Sequence, residues 1–488
     1  MPHPVFIMTS LGPIFADDLA RVKPGDRLRL TISAQTSDAA ALAQAALEAR
    51  ARGERVLVVC ADPADVPRLA QEMPWFEPKL DVRPLPDWET LPYDVLSPQE
   101  ELVSERLEAL YRLTAPTGGA DVLLTSAVTA SQRLSPVSYI GANTFFFHQG
   151  EQISLTTLQK RLAAAGYANV KQVLAAGEFA VRGSIVDVFP MGSERPFRLD
   201  FFDDEIESIR WFDVDTQRSM ESAEEIRLLP GHEFPVDPEA LLAFRQRWRR
   251  EFAGDPKKSI VYCDIEKEIL PPGIEYYLPL FFDETAALTD YLPPNARVFL
   301  LGDIEAALQA FGRDMASRYK VFAADPQRPA LAPERIWLKP EEFFKSLANF
   351  ARFTVEKKEN AEDLKRLSGI EVDRKSQNPV GKLLERTRES AMKGVRTLIA
   401  APSAGRMETM SQLLRTGGLS VEEFPDWQTF LEADSALGIA AAPLFSGAVF
   451  HHPEIVILSE AELYAASPRR HRLRRVKHAT TLEMGTCL

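Results

Sequence analysis

Cysteine is scarce in this sequence. There are three in 488 residues, Cys60, Cys263 and Cys487, far apart, odd in number and without a CxxC pair. That pattern excludes a disulfide-stapled secreted scaffold and fits a reduced, cytoplasmic compartment. No apolar run reaches spanning length, so the chain reads as having no membrane helix. The start, MPHPVFIMTSLGPIFADDLA, lacks the basic-then-apolar order of a signal peptide. Histidines are few and scattered, and the only close pair, His451-His452, has no cysteine or acidic cluster beside it in sequence, so no metal site is expected. Positive charge is also short. The net charge is −13, and the body is more acidic still once the basic run SPRRHRLRRVK (467–477) is set aside. An acidic body argues against broad nonspecific duplex binding, which needs a basic face, and fits a protein partner with a basic surface.

What is present is an ordinary globular composition, 45% hydrophobic and 26% charged, over a length that implies about three domains. The first part alternates strand and helix. RLRLTI (27–32), RVLVVC (55–60) and DVLLTS (121–126) read as buried strands; SDAAALAQAALEARARG (37–53) and DVPRLAQEM (65–73) read as helices. Between them PDWETLPYDVLSPQEELVSERLEALYRL (86–113) joins a Trp- and Pro-rich loop to a helix with Val103, Leu107, Leu110 and Tyr111 on one stripe. This rhythm implies a parallel sheet with helices on its faces. From about 140 to 230 the rhythm becomes short alternating strands with turn residues, the pattern of a small α+β domain with an antiparallel sheet. GIEYYLPLFF (273–282) and ARVFLLG (296–302) are strong apolar runs. Residues 356–379 are charged and read as a linker or exposed helix. VRTLIAAP, LSVEEFP and EIVILSE then mark a second, smaller α/β unit.

An α/β domain invites a nucleotide, and a phosphate loop needs glycines for the wrap and Lys-Ser/Thr for charge and magnesium. The first strand-to-helix turn reads TISAQTSDAAALAQ (31–44), with neither glycine nor lysine. The only Gly-Lys pair, Gly381-Lys382, is followed by Leu383, and Ser376 stands where the first glycine belongs. LDFFDDEI (199–206) imitates an acidic magnesium box, but no phosphate loop accompanies it, so it reads as a strand entering an acidic turn. Asp187, Asp200 and Asp203 could serve a metal-dependent nuclease only if they converged. The strand FRLDFFD is more informative. Phe197, Leu199 and Phe201 fall on one face; Arg198, Asp200 and Phe202 fall on the other. An arginine and an aromatic on an outward face are residue types enriched in binding hot spots, although a surface Arg–Asp pair with a covered Phe202 would give the same pattern. Arg182, in FAVRGSIVDVFP, joins that patch if the two segments pair.

PDWETLPYDVLSPQEELVSERLEALYRL, GEFAVRGSIVDVFPMGSERPFRLDFFDDEIESIRWFDVDTQRS and LPPGIEYYLPLFF closely resemble the N-terminal part of the bacterial transcription–repair coupling factors, the Mfd family, and the corresponding modules of the excision-repair protein UvrB. The resemblance runs to about residue 465 and is most specific in the first ~285 residues. It implies a helicase-like fold that has lost its phosphate loop, with Trp88 and Tyr93 as packing residues. It also implies a middle domain that binds UvrA, the damage-recognition ATPase. Carried over motif by motif, the UvrA-binding residues are Arg182, Arg198 and Phe202. In this family RNA polymerase binding, the ATP- and magnesium-dependent DNA translocase and a domain masking the UvrA surface follow, and none is recognisable here; the chain reads as a fragment.

The expected architecture is α/β multidomain: a degenerate UvrB-like parallel-sheet core, an inserted small α+β domain and a second small α/β domain. The expected divisions are 1–139 and 229–349 for the core, 140–228 for the UvrA-binding insert, 350–463 for the second α/β domain, and 464–488 for a basic linker or tail. The expected function is that of a cytoplasmic, non-catalytic adaptor without cofactor, metal or membrane, recruiting UvrA to stalled RNA polymerase. The competing reading is a DNA-binding or DNA-processing module using the basic tail or the acidic cluster.

Overall fold

The computed structural model describes residues 5–7, 21–115, 119–373 and 375–464. The basic run 467–477 lies outside them. The described residues divide into two compact units, the first comprising those up to 34 and those in 38–358, the second residues 35–37 and those in 359–464.

The first unit is built on a seven-stranded, all-parallel sheet. Its order is Val5–Ile7, Arg27–Ser33, Ala351–Lys358, Arg297–Leu301, Val56–Cys60, Val122–Ser126 and Val82–Pro84. The central strands Val56–Cys60, Val122–Ser126 and Arg297–Leu301 are buried throughout, which is why they read as unbroken apolar runs rather than alternations. Ala351–Lys358 pairs with Arg27–Ser33 and Arg297–Leu301 inside this sheet. Its residues therefore belong to the first unit, past the division expected at 349/350, and Glu356–Lys358 end a strand rather than open a linker. The helix Ala361–Leu367 follows.

A six-stranded sheet is inserted in this unit, in the order Ser219–Ala223, Glu205–Phe212, Phe197–Phe202, Ile185–Val188, Glu178–Arg182 and Ala168–Asn169. It is antiparallel except for the last pair. FAVRGSIVDVFP is not one strand: it turns at Gly183, with φ of +62°, into a hairpin of Glu178–Arg182 and Ile185–Val188. Phe145–His148 pairs with Glu225–Leu228, bringing the two ends of the insert together. The helix Glu100–Thr114 ties the insert to the core. Its Ser104 hydroxyl accepts from the Gly192 N–H at 2.7 Å, and its buried Glu108 carboxylate takes Arg112 and Arg227. The Arg227 guanidinium lies 4.5 Å from the Tyr111 ring centre.

Trp88 and Tyr93 are buried in an aromatic cluster with Phe234, Phe244, Trp248, Tyr276 and Trp337. GIEYYLPLFF enters the same cluster as a 3-10 helix, Ile274–Leu280. Burial pushes the Glu275 carboxyl there up to about 7, although Ser97 donates to it at 2.9 Å. Its folded value lies above the unfolded value of 4.5, so its contribution to stability is complete below pH 4.5 and is lost as pH rises through 7. Glu275→Gln is accordingly expected to gain on the parent by about 2–3 kcal/mol between pH 5 and pH 8. Urea unfolding at both pH values checks this; a constant difference contradicts it.

The second unit has a five-stranded sheet ordered Glu422–Phe424, Leu437–Ala441, Arg396–Ala401, Glu454–Ser459 and Ala448–His451, parallel except for the last strand. Its own core gathers Leu383, Ile399, Met410, Leu414, Ile439 and Val449.

Candidate protein-binding face

Strand alternation sets up the face. Phe197, Leu199 and Phe201 are buried, while Arg198 and Asp200 are half-buried on the opposite side. The register then shifts between Asp200 and Phe201, the strand turns back through Asp203 in left-handed backbone, and Phe202 is left 68% exposed. Among the described residues Phe202 is thus not covered by a neighbouring element.

Arg198 lies directly opposite Asp187 of the neighbouring strand. It grips that carboxylate with both arms of its fork: Nε donates to Oδ1 at 2.7 Å and Nη2 to Oδ2 at 2.9 Å. Its Nη1 donates to the Gln217 carbonyl and the Ser219 hydroxyl, each at 3.2 Å. The guanidinium also lies over the Phe212 ring, 5.0 Å from its centre. Arg182, one strand further back, donates from Nη2 to the same Asp187 Oδ2 and, more weakly, to the Gln217 side-chain carbonyl at 3.5 Å. Asp187 is fully buried. Two guanidinium groups share one carboxylate, and Asp200 on the same face adds a second negative charge that acts on Arg198. The hydrogen bond to Asp187 raises the pKa of Arg198 further above its already high ordinary value.

The three residues singled out from sequence are therefore differently placed. Arg182 and Phe202 reach solvent, whereas the Arg198 side chain is only 16% exposed and its nitrogens are all engaged within the molecule. Arg198 does not present a free fork; it holds the face in shape. The residue that organises the cluster is Asp187, which the sequence suggests only as a metal ligand. Its signal was legible: a carboxylate in the apolar strand IVDV, between two arginines in neighbouring segments. Asp187 is taken by arginines and Asp200 accepts from the Ser208 hydroxyl at 2.9 Å. Among the described residues no group of three or more His, Cys, Asp or Glu side chains is placed to hold a metal.

Comparison with known proteins gives two domain matches. Residues 145–234 match the UvrB interaction domain, the segment carrying this face, and residues 391–463 match the MFD D3 domain. The chain is similar to the transcription-repair-coupling factor of Escherichia coli, 42% identical over 61% of this chain and 26% of that protein. It is likewise similar to that of Haemophilus influenzae, 40% identical over 68% of this chain and 29% of that protein. The Bacillus subtilis protein of the same name is 32% identical over 41% of this chain and 18% of its own length. The chain thus spans under a third of the length of these relatives, and its resemblance is to the N-terminal region of the transcription–repair coupling factors.

Proposed function

We propose that this chain, similar to the N-terminal region of the transcription–repair coupling factors, is a non-catalytic adaptor that holds UvrA through the face built on Arg182, Asp187, Arg198 and Phe202. The observation that carries the reading is the exposed Phe202 ring on the same sheet as the half-exposed Arg182 guanidinium, inside the segment that matches the UvrB interaction domain. Phe202 supplies apolar anchorage. Arg182 has donors left for a carboxylate of the partner, and Arg198 keeps the surface in its bound shape beforehand, which lowers the ordering cost of association. Recruitment to stalled RNA polymerase, in the cytoplasm, is the wider role this contact serves. Among the described residues no helix is long and apolar enough to cross a membrane.

Phe202→Ala tests the anchorage. The ring is exposed, so stability is expected to stay within about 0.5 kcal/mol of the parent. UvrA affinity is expected to fall by about 2 kcal/mol or more. Unchanged affinity in the folded variant contradicts the assignment.

A further inference from the structure

We infer that the second unit carries a small anion-binding cleft that takes a single phosphate group. The cleft, about 250 Å³, lies between the helices Ala361–Leu367 and Gly381–Met392, over Val395 and Val456. Lys365 and Arg366 reach it from the first helix, and Arg386, Ser390 and Lys393 from the second helix and the residue after it. Two carboxylates, Glu389 and Glu454, also line it, so four cations face two anions on a chain whose net charge is −13.

Basic residues in the last turn of a helix commonly answer its C-terminal carbonyls. Arg386, from the middle of the second helix, answers one of the first helix's last carbonyls instead, donating from Nη1 to the Lys365 carbonyl at 2.5 Å. The other cations are not accounted for in that way. Arg366 places Nη2 at 3.5 Å from a Glu454 oxygen, but its Nη1 is shielded from solvent and has no hydrogen-bond partner among the described residues. A buried guanidinium nitrogen with nothing to donate to is costly unless a ligand or water completes it. The ammonium groups of Lys365 and Lys393 make no hydrogen bond or ion pair among the described residues. An arginine fork, two unpaired ammonium groups and a hydroxyl around a space of this size match a compact, multiply charged oxyanion. The same surplus of cations repels a metal ion.

The test is titration of the intact chain with inorganic phosphate at fixed ionic strength, chloride making up the balance, followed by ³¹P NMR and thermal unfolding. Saturable millimolar binding is expected. Arg366→Gln and Lys393→Gln are each expected to weaken it about tenfold, equivalent to 1.4 kcal/mol, while Arg388→Gln, exposed and outside the cleft, leaves it unchanged. Lys393 is exposed, so its variant keeps the comparison valid even if Arg366→Gln fails to fold. A short single-stranded oligonucleotide without terminal phosphate distinguishes the source: competition with phosphate assigns the cleft to backbone phosphodiesters, and its absence assigns it to a free phosphate or phosphomonoester. No phosphate-specific response from the intact chain, or a response retained in full by both variants, overturns the inference.

Discussion

Arg106→Ala is expected to lower the stability of the first unit by about 3–5 kcal/mol, the largest effect of any single change considered for this chain. Arg106 has no solvent exposure. It forks onto Glu233, with Nε to Oε1 at 2.6 Å and Nη2 to Oε2 at 3.1 Å, and also donates to Gln132 at 2.9 Å and to the Pro86 carbonyl at 2.7 Å. Its charge lies 5.3 Å from the Trp88 ring centre, and the indole N–H itself donates to Glu233 at 2.9 Å. Removing the arginine leaves a buried carboxylate with the indole as its remaining donor, and desolvation of that charge dominates the cost. The double variant Arg106→Met, Glu233→Leu is expected to recover most of the loss, because paired burial of charge contributes little net stability against a well-packed apolar pair. Denaturant unfolding of Arg106→Ala, and of the parent, Arg106→Met, Glu233→Leu and their double variant as a double-mutant cycle, measures this. A single variant as stable as the parent contradicts the account. Trp88→Ala is expected to act in the same way, on folding rather than on partner affinity.

Arg198→Ala is expected to cost about 3 kcal/mol, because it strips a fully buried Asp187 of its bidentate partner. Arg182→Ala should cost about 1 kcal/mol or less, since that side chain is half-exposed and its ion pair is screened. Binding should show the reverse emphasis once each variant is measured folded, because Arg182 still has donors to offer a partner. Arg198→Lys is not expected to rescue: an ammonium group cannot span both carboxylate oxygens and the Gln217 carbonyl together. Equal stability of the Arg182 and Arg198 alanine variants removes the basis for the division of roles drawn here.

Apolar rhythm made the first sheet legible. RVLVVC and DVLLTS became its central strands because burial on both faces demands continuous apolar residues. The strand Ala351–Lys358 was missed because only its first half is buried; Lys357 and Lys358 read as surface although the sheet pairs them with Ile32 and Ser33. Of the helix stripe Val103, Leu107, Leu110 and Tyr111, the first three are buried and Tyr111 is half-buried, while Arg106 and Glu108, also buried, interrupt it with charges whose partners lie far along the chain at Glu233 and Arg227. The binding face divides the same way. Alternation alone sets Arg198 and Phe202 on one side, and the carboxylate in IVDV hints at an arginine partner, but only the strand pairing decides that Asp187 takes up Arg198 and leaves Phe202 the outward group.

The adaptor reading is tested most directly by calorimetric titration of the intact chain with UvrA, alongside Arg182→Ala and Phe202→Ala variants shown by circular dichroism to be folded. Micromolar or tighter binding by the parent, weakened in both variants by about tenfold or more, is the predicted result. No binding by the folded parent, or binding that both variants retain in full, contradicts the assignment of UvrA to this face.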